Sequence, residues 1–168
     1  MFVGSHLRDL ETLTTVIEDA YRLAPHLQFV LVAHPKDLAK FTGLIGNVTL
    51  YSNLRETELL ALYQKATLVI QPLQDTVANT ALLETMACGA PSVVTEIGAV
   101  RDYVTAECAA LVAPYNPQAM LAAIIELAAD AARRRSMAEH ARTRALQFAW
   151  PCVAGQMRKT YEQILGLT

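Results

Sequence analysis

The sequence contains little cysteine and no long apolar run. Its 3 cysteines in 168 residues, Cys88, Cys108 and Cys152, fit neither a disulfide framework nor a zinc site, because they are odd in number and widely spaced. We expect them to be small apolar core residues. The longest apolar runs fall well short of the roughly 20 residues that a membrane-spanning helix needs, and no signal peptide is visible. The sequence therefore predicts a cytoplasmic protein, with the inner face of a membrane left open.

The sequence also has no excess of positively charged residues. The chain carries 14 Lys and Arg residues against 16 Asp and Glu residues, for a net charge of -2. Nucleic-acid binding needs a basic surface that displaces counterions from phosphates, so we expect no nucleic-acid partner. The run Arg133-Arg134-Arg135 is expected to be a solvated helix face, with contact to acidic lipid at a peripheral membrane surface as the alternative.

Regular alternation of strands and helices is what the sequence does contain. With 53% hydrophobic residues, a chain of this length buries roughly 70% of its unfolded surface, which suits one domain over residues 1–168. The patterns predict strands over residues 2–3, 27–33, 48–51, 67–71, 91–94 and 109–112. They predict helices over residues 9–23, 35–44, 56–65, 79–88, 118–129, 131–147 and 151–165. This alternation is typical of a Rossmann-like α/β fold, a doubly wound parallel sheet of about six strands.

The most informative segment is the strand-helix-strand unit around Glu84. Apolar residues recur at helical spacing in this helix, while Asn79, Thr80 and Glu84 lie near its first turns. Ligands bind at the carboxyl edge of the strands in open α/β sheets. A carboxylate placed there indicates a hydroxyl or amine partner.

Several motifs, in the right order, carry a resemblance to a known family. They are Leu83-Glu84-Thr85-Met86-Ala87-Cys88-Gly89-Ala90-Pro91 with Val93-Val94-Thr95 and Gly98, together with Phe2-Val3-Gly4, Asn47 to Tyr51, Leu62 to Ala66 and Phe148-Ala149-Trp150. The chain resembles the C-terminal, donor-binding domain of retaining glycosyltransferases of family 4 (group 1), which have the two-domain GT-B fold. The resemblance implies a nucleotide-sugar partner, UDP- or GDP-linked, and an acceptor-binding N-terminal domain outside these 168 residues.

The resemblance implies a role for each acidic residue near the motif. In this family two glutamates separated by seven residues hold the donor, the second at the ribose and the first at the sugar. Glu84 matches the second, and Thr76, preceded by Asp75, stands where the first would be. Either Asp75 reaches the sugar through a one-residue shift, or hydroxyls and amides from Thr76 to Asn79 hold it. Asp75 and Thr76 are therefore the candidate catalytic residues.

The diphosphate needs cations and amide donors, and the resemblance implies that no metal cofactor is required. Gly4 permits close backbone approach, and the helix that begins near Thr80 directs free N–H groups to the same region. The family's arginine and lysine positions hold Ser5 and roughly Leu10 here. Arg8 or His6 would then supply the positive charge, with a solvated surface residue as the alternative for each.

Three further positions follow from the resemblance. Gly98 begins a turn that lies near the sugar in the family, with a simple turn as the alternative. Tyr51 occupies the place where the family holds the base, with a core tyrosine as the alternative. Trp150 is expected to pack at the start of the last helix.

These features predict a donor-binding glycosyltransferase domain that takes part in retaining sugar transfer. Two alternatives stay open: a non-catalytic nucleotide-binding or scaffold module, and half of a sugar-nucleotide epimerase. A nicotinamide-binding domain is disfavoured, because Gly4 is followed by no glycines at the G-x-G-x-x-G spacing.

Overall fold

The structure, a computed structural model, describes residues 1–43 and 46–166. Within them the strands are β1 Phe2–Val3, β2 Phe29–Val32, β3 Val48–Tyr51, β4 Val69–Gln71, β5 Ser92–Thr95 and β6 Ala110–Val112. They form one sheet in the order β3-β2-β1-β4-β5-β6, and every neighbouring pair is parallel. The order reverses between β1 and β4. In open α/β sheets the carboxyl edge at such a reversal is the ligand-binding crevice, and this edge is named the β1–β4 crevice here.

Helices cover both faces of the sheet. They are α1 Leu10–Leu23, α2 Pro35–Leu38, α3 Glu56–Lys65, α4 Thr80–Ala87, α5 Val100–Tyr103, α6 Pro117–Ala129, α7 Ala131–Ala145 and α8 Trp150–Ile164, with 3-10 turns at Ala39–Phe41 and Leu146–Phe148. Helices α1, α2 and α6 contribute to one apolar cluster, and α3, α4 and α5 contribute to two clusters on the opposite face. The predicted doubly wound fold is confirmed.

The pleat of the short strands explains how both faces become apolar. Phe2 and Ile70 are opposite each other in the β1–β4 pairing and point into the cluster under α1. Val3 and Val69, one residue away, point into the cluster under α3. Because helices bury both faces, these strands are continuous apolar runs and show no alternation with polar residues.

Residues at its two ends define the bounds of helix α4, which carries Glu84. The side chain of Asn79 accepts a hydrogen bond from the N–H of Leu82 at 3.1 Å and so caps the first turn. Gly89 has φ +64° just beyond the last turn, a conformation that glycine adopts without steric cost. Leu82 and Met86, both fully buried, fasten the helix to the sheet.

Several predicted boundaries were too long, and the structure shows why. The strand predicted over 27–33 spans Phe29–Val32, because Leu27 N–H instead closes a turn onto Ala24 C=O. The helix predicted over 35–44 is α2 followed by the first 3-10 turn, and Leu44 lies outside the described residues. Apolar periodicity does not mark such ends, since fraying and 3-10 geometry depend on neighbouring elements.

Two packing predictions for the C-terminal region were wrong. Trp150 is 82% exposed, and no residue of α8 is buried. Cys152 on the same helix is exposed and Cys88 is half-buried, which leaves Cys108 as the one buried cysteine of the described residues. The large apolar side chains of α8 are exposed, so none of them enters the core formed by the described residues. Among the described residues, no helix has the length and apolar character that crossing a membrane requires.

We expect Leu82→Ala to lower the free energy of unfolding by about 2–5 kcal/mol, because it leaves a cavity beneath α4. Urea unfolding of the chain measures this loss. Leu60→Ala on α3 is the control, since Leu60 is 45% exposed and its truncation should change stability by less than about 0.5 kcal/mol. Equal losses in the two variants would contradict the packing described here.

Candidate functional site

The candidate site lies at the carboxyl edge of the sheet, where three loops meet. They are the loop from β1 to α1, the loop from β4 to α4 and the loop from β5 to α5. The N–H of Asp9 donates to the carbonyl of Pro72 at 3.0 Å, and the N–H of Gln74 donates to the carbonyl of Leu7 at 3.0 Å. The first two loops are therefore joined directly across the β1–β4 crevice.

Gly4 leaves the space that the Arg8 side chain occupies. Gly4 has φ +112°, and a Cβ there would lie 2.7 Å from both Nε and Nη2 of Arg8. Arg8 Nε donates to the carbonyl of Val3 at 3.3 Å, so the guanidinium folds back over the end of β1. The structure thus brings these two predicted residues into direct contact.

Asn79 connects Arg8 to helix α4. Its Oδ1 accepts from Arg8 Nη2 at 3.3 Å as well as from the capped N–H of Leu82. Its Nδ2 donates to Gln71 Oε1 at 3.0 Å, and Gln71 Nε2 donates to Thr85 Oγ1 at 3.4 Å. Asn79, Gln71 and Thr85 are buried, so this network holds the guanidinium beside the start of α4.

Burial lowers the pKa of Arg8 from its ordinary value. A guanidinium nevertheless stays protonated throughout the physiological range, since its ordinary pKa lies far above that range. The first turn of α4 adds N–H groups that have no partner within the helix and a positive dipole end. Arg8 and α4 together present a fixed positive region to the crevice.

Asp75 and Thr76 form a turn that is held by the loop after β5. Oδ1 of Asp75 accepts from the N–H of Thr76 at 2.7 Å, and the carbonyl of Thr76 accepts from the N–H of Ala99 at 3.0 Å. Tyr103 donates its hydroxyl to the carbonyl of Val77 at 3.2 Å. Asp75 is exposed whereas Thr76 is 3% exposed, so Asp75 is the side chain of this pair that is accessible from solvent.

Gly98 lies directly against this turn. Its φ is +54°, and a Cβ at Gly98 would lie 2.4 Å from the carbonyl oxygen of Thr76 and 2.6 Å from Oδ1 of Asp75. Only a residue without a Cβ fits this approach. Gly98 therefore shapes the Asp75–Thr76 turn, and the contact of Gly98 with the sugar stays a prediction.

Glu84 is half-buried on α4 and faces α3. Its Oε2 accepts from the hydroxyl of Tyr63 at 3.0 Å. Tyr63 is 2% exposed, and its burial, with the charge of Glu84 next in importance, raises the pKa of Tyr63 well above its ordinary value. Burial also raises the pKa of the nearby Cys88 thiol, again with a contribution from Glu84.

The remaining predicted residues are accessible. Tyr51 ends β3 at the same edge of the sheet and is 38% exposed, so the core-tyrosine alternative is wrong. Thr80 is the exposed first residue of α4, and His6 is exposed in the β1–α1 loop. Ser5 Oγ accepts from the N–H of His34 at 2.8 Å, which ties that loop to the end of β2.

The sequence analysis assigned no site role to Tyr63, Gln71 or Thr85, although Tyr63 and Thr85 lie within the motifs that carry the resemblance. Gln71 is a polar residue at the end of an apolar strand, and this signal was available from the sequence. Tyr63 has no such local signal, because its role depends on the packing of α3 against α4. In residues 1–43 and 46–166 no group of three or more His, Cys, Asp or Glu side chains is arranged to hold a metal ion.

The strand order and the crevice at its reversal point define a Rossmann-like α/β domain of the type found as the C-terminal half of GT-B glycosyltransferases. A sequence model of the family described as glycosyl transferases group 1 matches residues 13–144. The chain belongs to that family.

Individual relatives agree with this assignment. D-inositol 3-phosphate glycosyltransferase of Corynebacterium urealyticum is 30% identical over 130 residues, which cover 77% of this chain and 31% of that protein. The chain spans about a third of the length of the curated relatives it matches.

Solved structures share the fold. Sucrose-phosphate synthase from Thermosynechococcus elongatus superposes with a TM-score of 0.82 at 24% identity, covering 99% of this chain and 46% of that one. HepE of Anabaena, crystallised in complex with UDP, superposes with a TM-score of 0.76 at 19% identity, covering 96% of this chain and 48% of that one.

We expect Gly98→Ala to lower stability more than Gly89→Ala, although both residues have a positive φ. The two variants share a backbone cost of about 1–2 kcal/mol. A Cβ at Gly98 also meets Thr76, whereas a Cβ at Gly89 has ordinary contact, 3.7 Å from the carbonyl of Ala138. We expect an additional loss of about 1–3 kcal/mol for Gly98→Ala, measured by urea unfolding. Equal losses of stability in the two variants would show that the Asp75–Thr76 turn moves away from the added Cβ without an energetic cost.

Proposed function

We propose that this chain is the donor-binding domain of a glycosyltransferase and that it binds a nucleoside diphosphate sugar in the β1–β4 crevice. The observation that supports this most directly is the placement of Arg8 beside the start of α4. Family membership supplies the reaction class, and this placement supplies a site for the anionic part of a nucleotide.

Arg8 and α4 are proposed to hold the diphosphate. Arg8 uses two of the five N–H donors of a guanidinium on Val3 and Asn79. The remaining donors and the first-turn amides of α4 are suited to phosphate oxygens. This positive region is formed by the protein itself, and we therefore propose that donor binding requires no metal.

Glu84 is proposed to hold the ribose and Asp75 the sugar. The two hydroxyls of a ribose diol donate to one carboxylate as charge-assisted hydrogen bonds, which are stronger than neutral ones. Asp75 is exposed in the loop from β4 to α4, beside Gly98. Tyr51, at the end of β3, is proposed to pack against the base.

The transfer itself is proposed to need the part of the protein that lies outside this chain. During transfer the bond from the anomeric carbon to the diphosphate oxygen breaks, and a bond to an acceptor hydroxyl oxygen forms as that hydroxyl gives its proton to a general base in the part outside this chain. Arg8 and the α4 amides would stabilise the charge that develops on the departing diphosphate. An N-terminal domain would bind the acceptor, and the family resemblance supports retention of configuration at the anomeric carbon.

We expect Glu84→Ala to weaken nucleotide binding by more than about 1 kcal/mol, or roughly fivefold, because charged hydrogen bonds to the ribose are lost. Calorimetric titration with UDP, GDP and ADP measures this change and also identifies the preferred base. Glu18→Ala, which removes an exposed carboxylate on α1, is the matched control and should bind as the unaltered chain does.

Two results would count against this proposal. A folded chain that binds none of the three nucleotides would favour a non-catalytic module. Saturable binding that Glu84→Ala leaves unchanged would remove Glu84 from the site.

We expect Arg8→Gln to weaken UDP binding by about tenfold or more, the scale of a charged hydrogen bond, and to weaken UMP binding less. The difference arises because UMP lacks the second phosphate. Arg22→Gln on α1, where Arg22 pairs with Asp19 at the surface, is the control. Titration in EDTA should give the same affinity, and an affinity that rises on adding magnesium would contradict metal-free binding.

A further inference from the structure

The hydroxyl of Tyr63 connects α3 to the carboxylate proposed to hold the ribose. It lies 3.0 Å from Glu84 Oε2 and 3.5 Å from the carbonyl oxygen of Ala81. A phenol has one hydrogen to donate. The shorter contact, to a charged acceptor, is the stronger one, so the hydrogen is directed to Glu84.

The ring of Tyr63 fixes this hydroxyl in place. Tyr63 packs in the apolar cluster that includes Val3, Val69 and Ala90. Because the pKa of Tyr63 is raised by burial and by Glu84, the hydroxyl remains a neutral donor across the physiological pH range. The cluster needs only the ring, and a phenylalanine would fill the same space. Packing of the cluster therefore does not require the hydroxyl of Tyr63.

The hydrogen bond from Tyr63 makes the two carboxylate oxygens of Glu84 inequivalent. Among residues 1–43 and 46–166, Tyr63 is the residue that donates a hydrogen bond to this carboxylate, and it donates to Oε2. Oε1 is then the oxygen left to accept from a ligand. A free glutamate side chain samples several rotamers, and ordering them on binding costs conformational entropy. A carboxylate already held at one oxygen avoids part of that cost.

We propose that Tyr63 is a positioning residue that holds Glu84 for the ribose diol and makes the domain select ribonucleotides over nucleotides that lack the diol. This inference rests on the proposed function, since it requires Glu84 to meet a ribose. It adds a positioning role for a residue to which the resemblance assigned none, and a chemical preference for the hydroxyls of the nucleotide.

The test compares UDP with 2′,3′-dideoxy-UDP by calorimetry in four proteins: the unaltered chain, Tyr63→Phe, Glu84→Ala and the double variant. We expect the unaltered chain to prefer UDP. Tyr63→Phe should weaken UDP binding by about three- to tenfold, the scale of one hydrogen bond, and leave the dideoxy analogue unchanged. In the Glu84→Ala background it should have no further effect. Tyr21→Phe on α1, where Tyr21 is 48% exposed, is the control.

Each contrary outcome identifies what has failed. No nucleotide binding by the unaltered chain would overturn the proposed function, and this inference with it. If Glu84→Ala loses the preference for UDP but Tyr63→Phe retains it, only the role of Tyr63 is wrong. If Tyr63→Phe weakens both ligands equally, its hydroxyl supports the fold and does not position Glu84. Thermal unfolding of each variant accompanies the titrations.

A second measurement needs no change at Tyr63. In a chain labelled with ¹³C at the tyrosine Cζ, Glu84→Ala should shift one tyrosine resonance, that of the ring bonded to Glu84. UDP should shift the same resonance in the unaltered chain, and dideoxy-UDP should leave it in place. A resonance that responds equally to both nucleotides, or to neither, would overturn the proposal.

Discussion

The buried amide of Asn79 is the interaction on which the site depends. It caps α4 through Leu82, accepts from Arg8 and donates to Gln71, so that one side chain joins a helix start, a loop cation and a strand end. An amide suits this position because it both accepts and donates. A carboxylate would lack the donor for Gln71, and an apolar residue would leave buried polar groups without partners, which is costly.

The surrounding structure divides into a rigid frame and accessible polar groups. Gly4 and Gly98 place backbone where a Cβ would collide with Arg8 and with Thr76. Asp75 is exposed in the loop from β4 to α4, and Glu84 is half-buried on α4, where it accepts a hydrogen bond from Tyr63. The strands of the frame are short and mostly apolar, and apart from Gln71 and Tyr51 at two strand ends, the loops and helices that follow them carry the polar chemistry.

Much of the fold was predictable, because two signals agreed along the chain. Apolar runs with β-branched residues alternated with helical periodicity, and parallel sheets buried on both faces produce this pattern. The α4 motif likewise placed Glu84 correctly on the helix, whereas Asn79, predicted as its first residue, is its N-cap. The exposure of Trp150 was not predictable, because an amphipathic helix reads the same whether or not its apolar face has a partner within the chain.

By itself the sequence determined the α/β alternation, the strand-helix-strand unit around Glu84 and the family to which the chain belongs. Each of these is encoded by residues that are close together in the chain or by motifs in a fixed order, so local propensity and burial are sufficient to determine them. Only the tertiary structure decided that Arg8 reaches Asn79 across 71 positions of the chain and that Tyr63 reaches Glu84 across 21. Such contacts arise from the strand order and from the packing of neighbouring helices, and no local spacing encodes them.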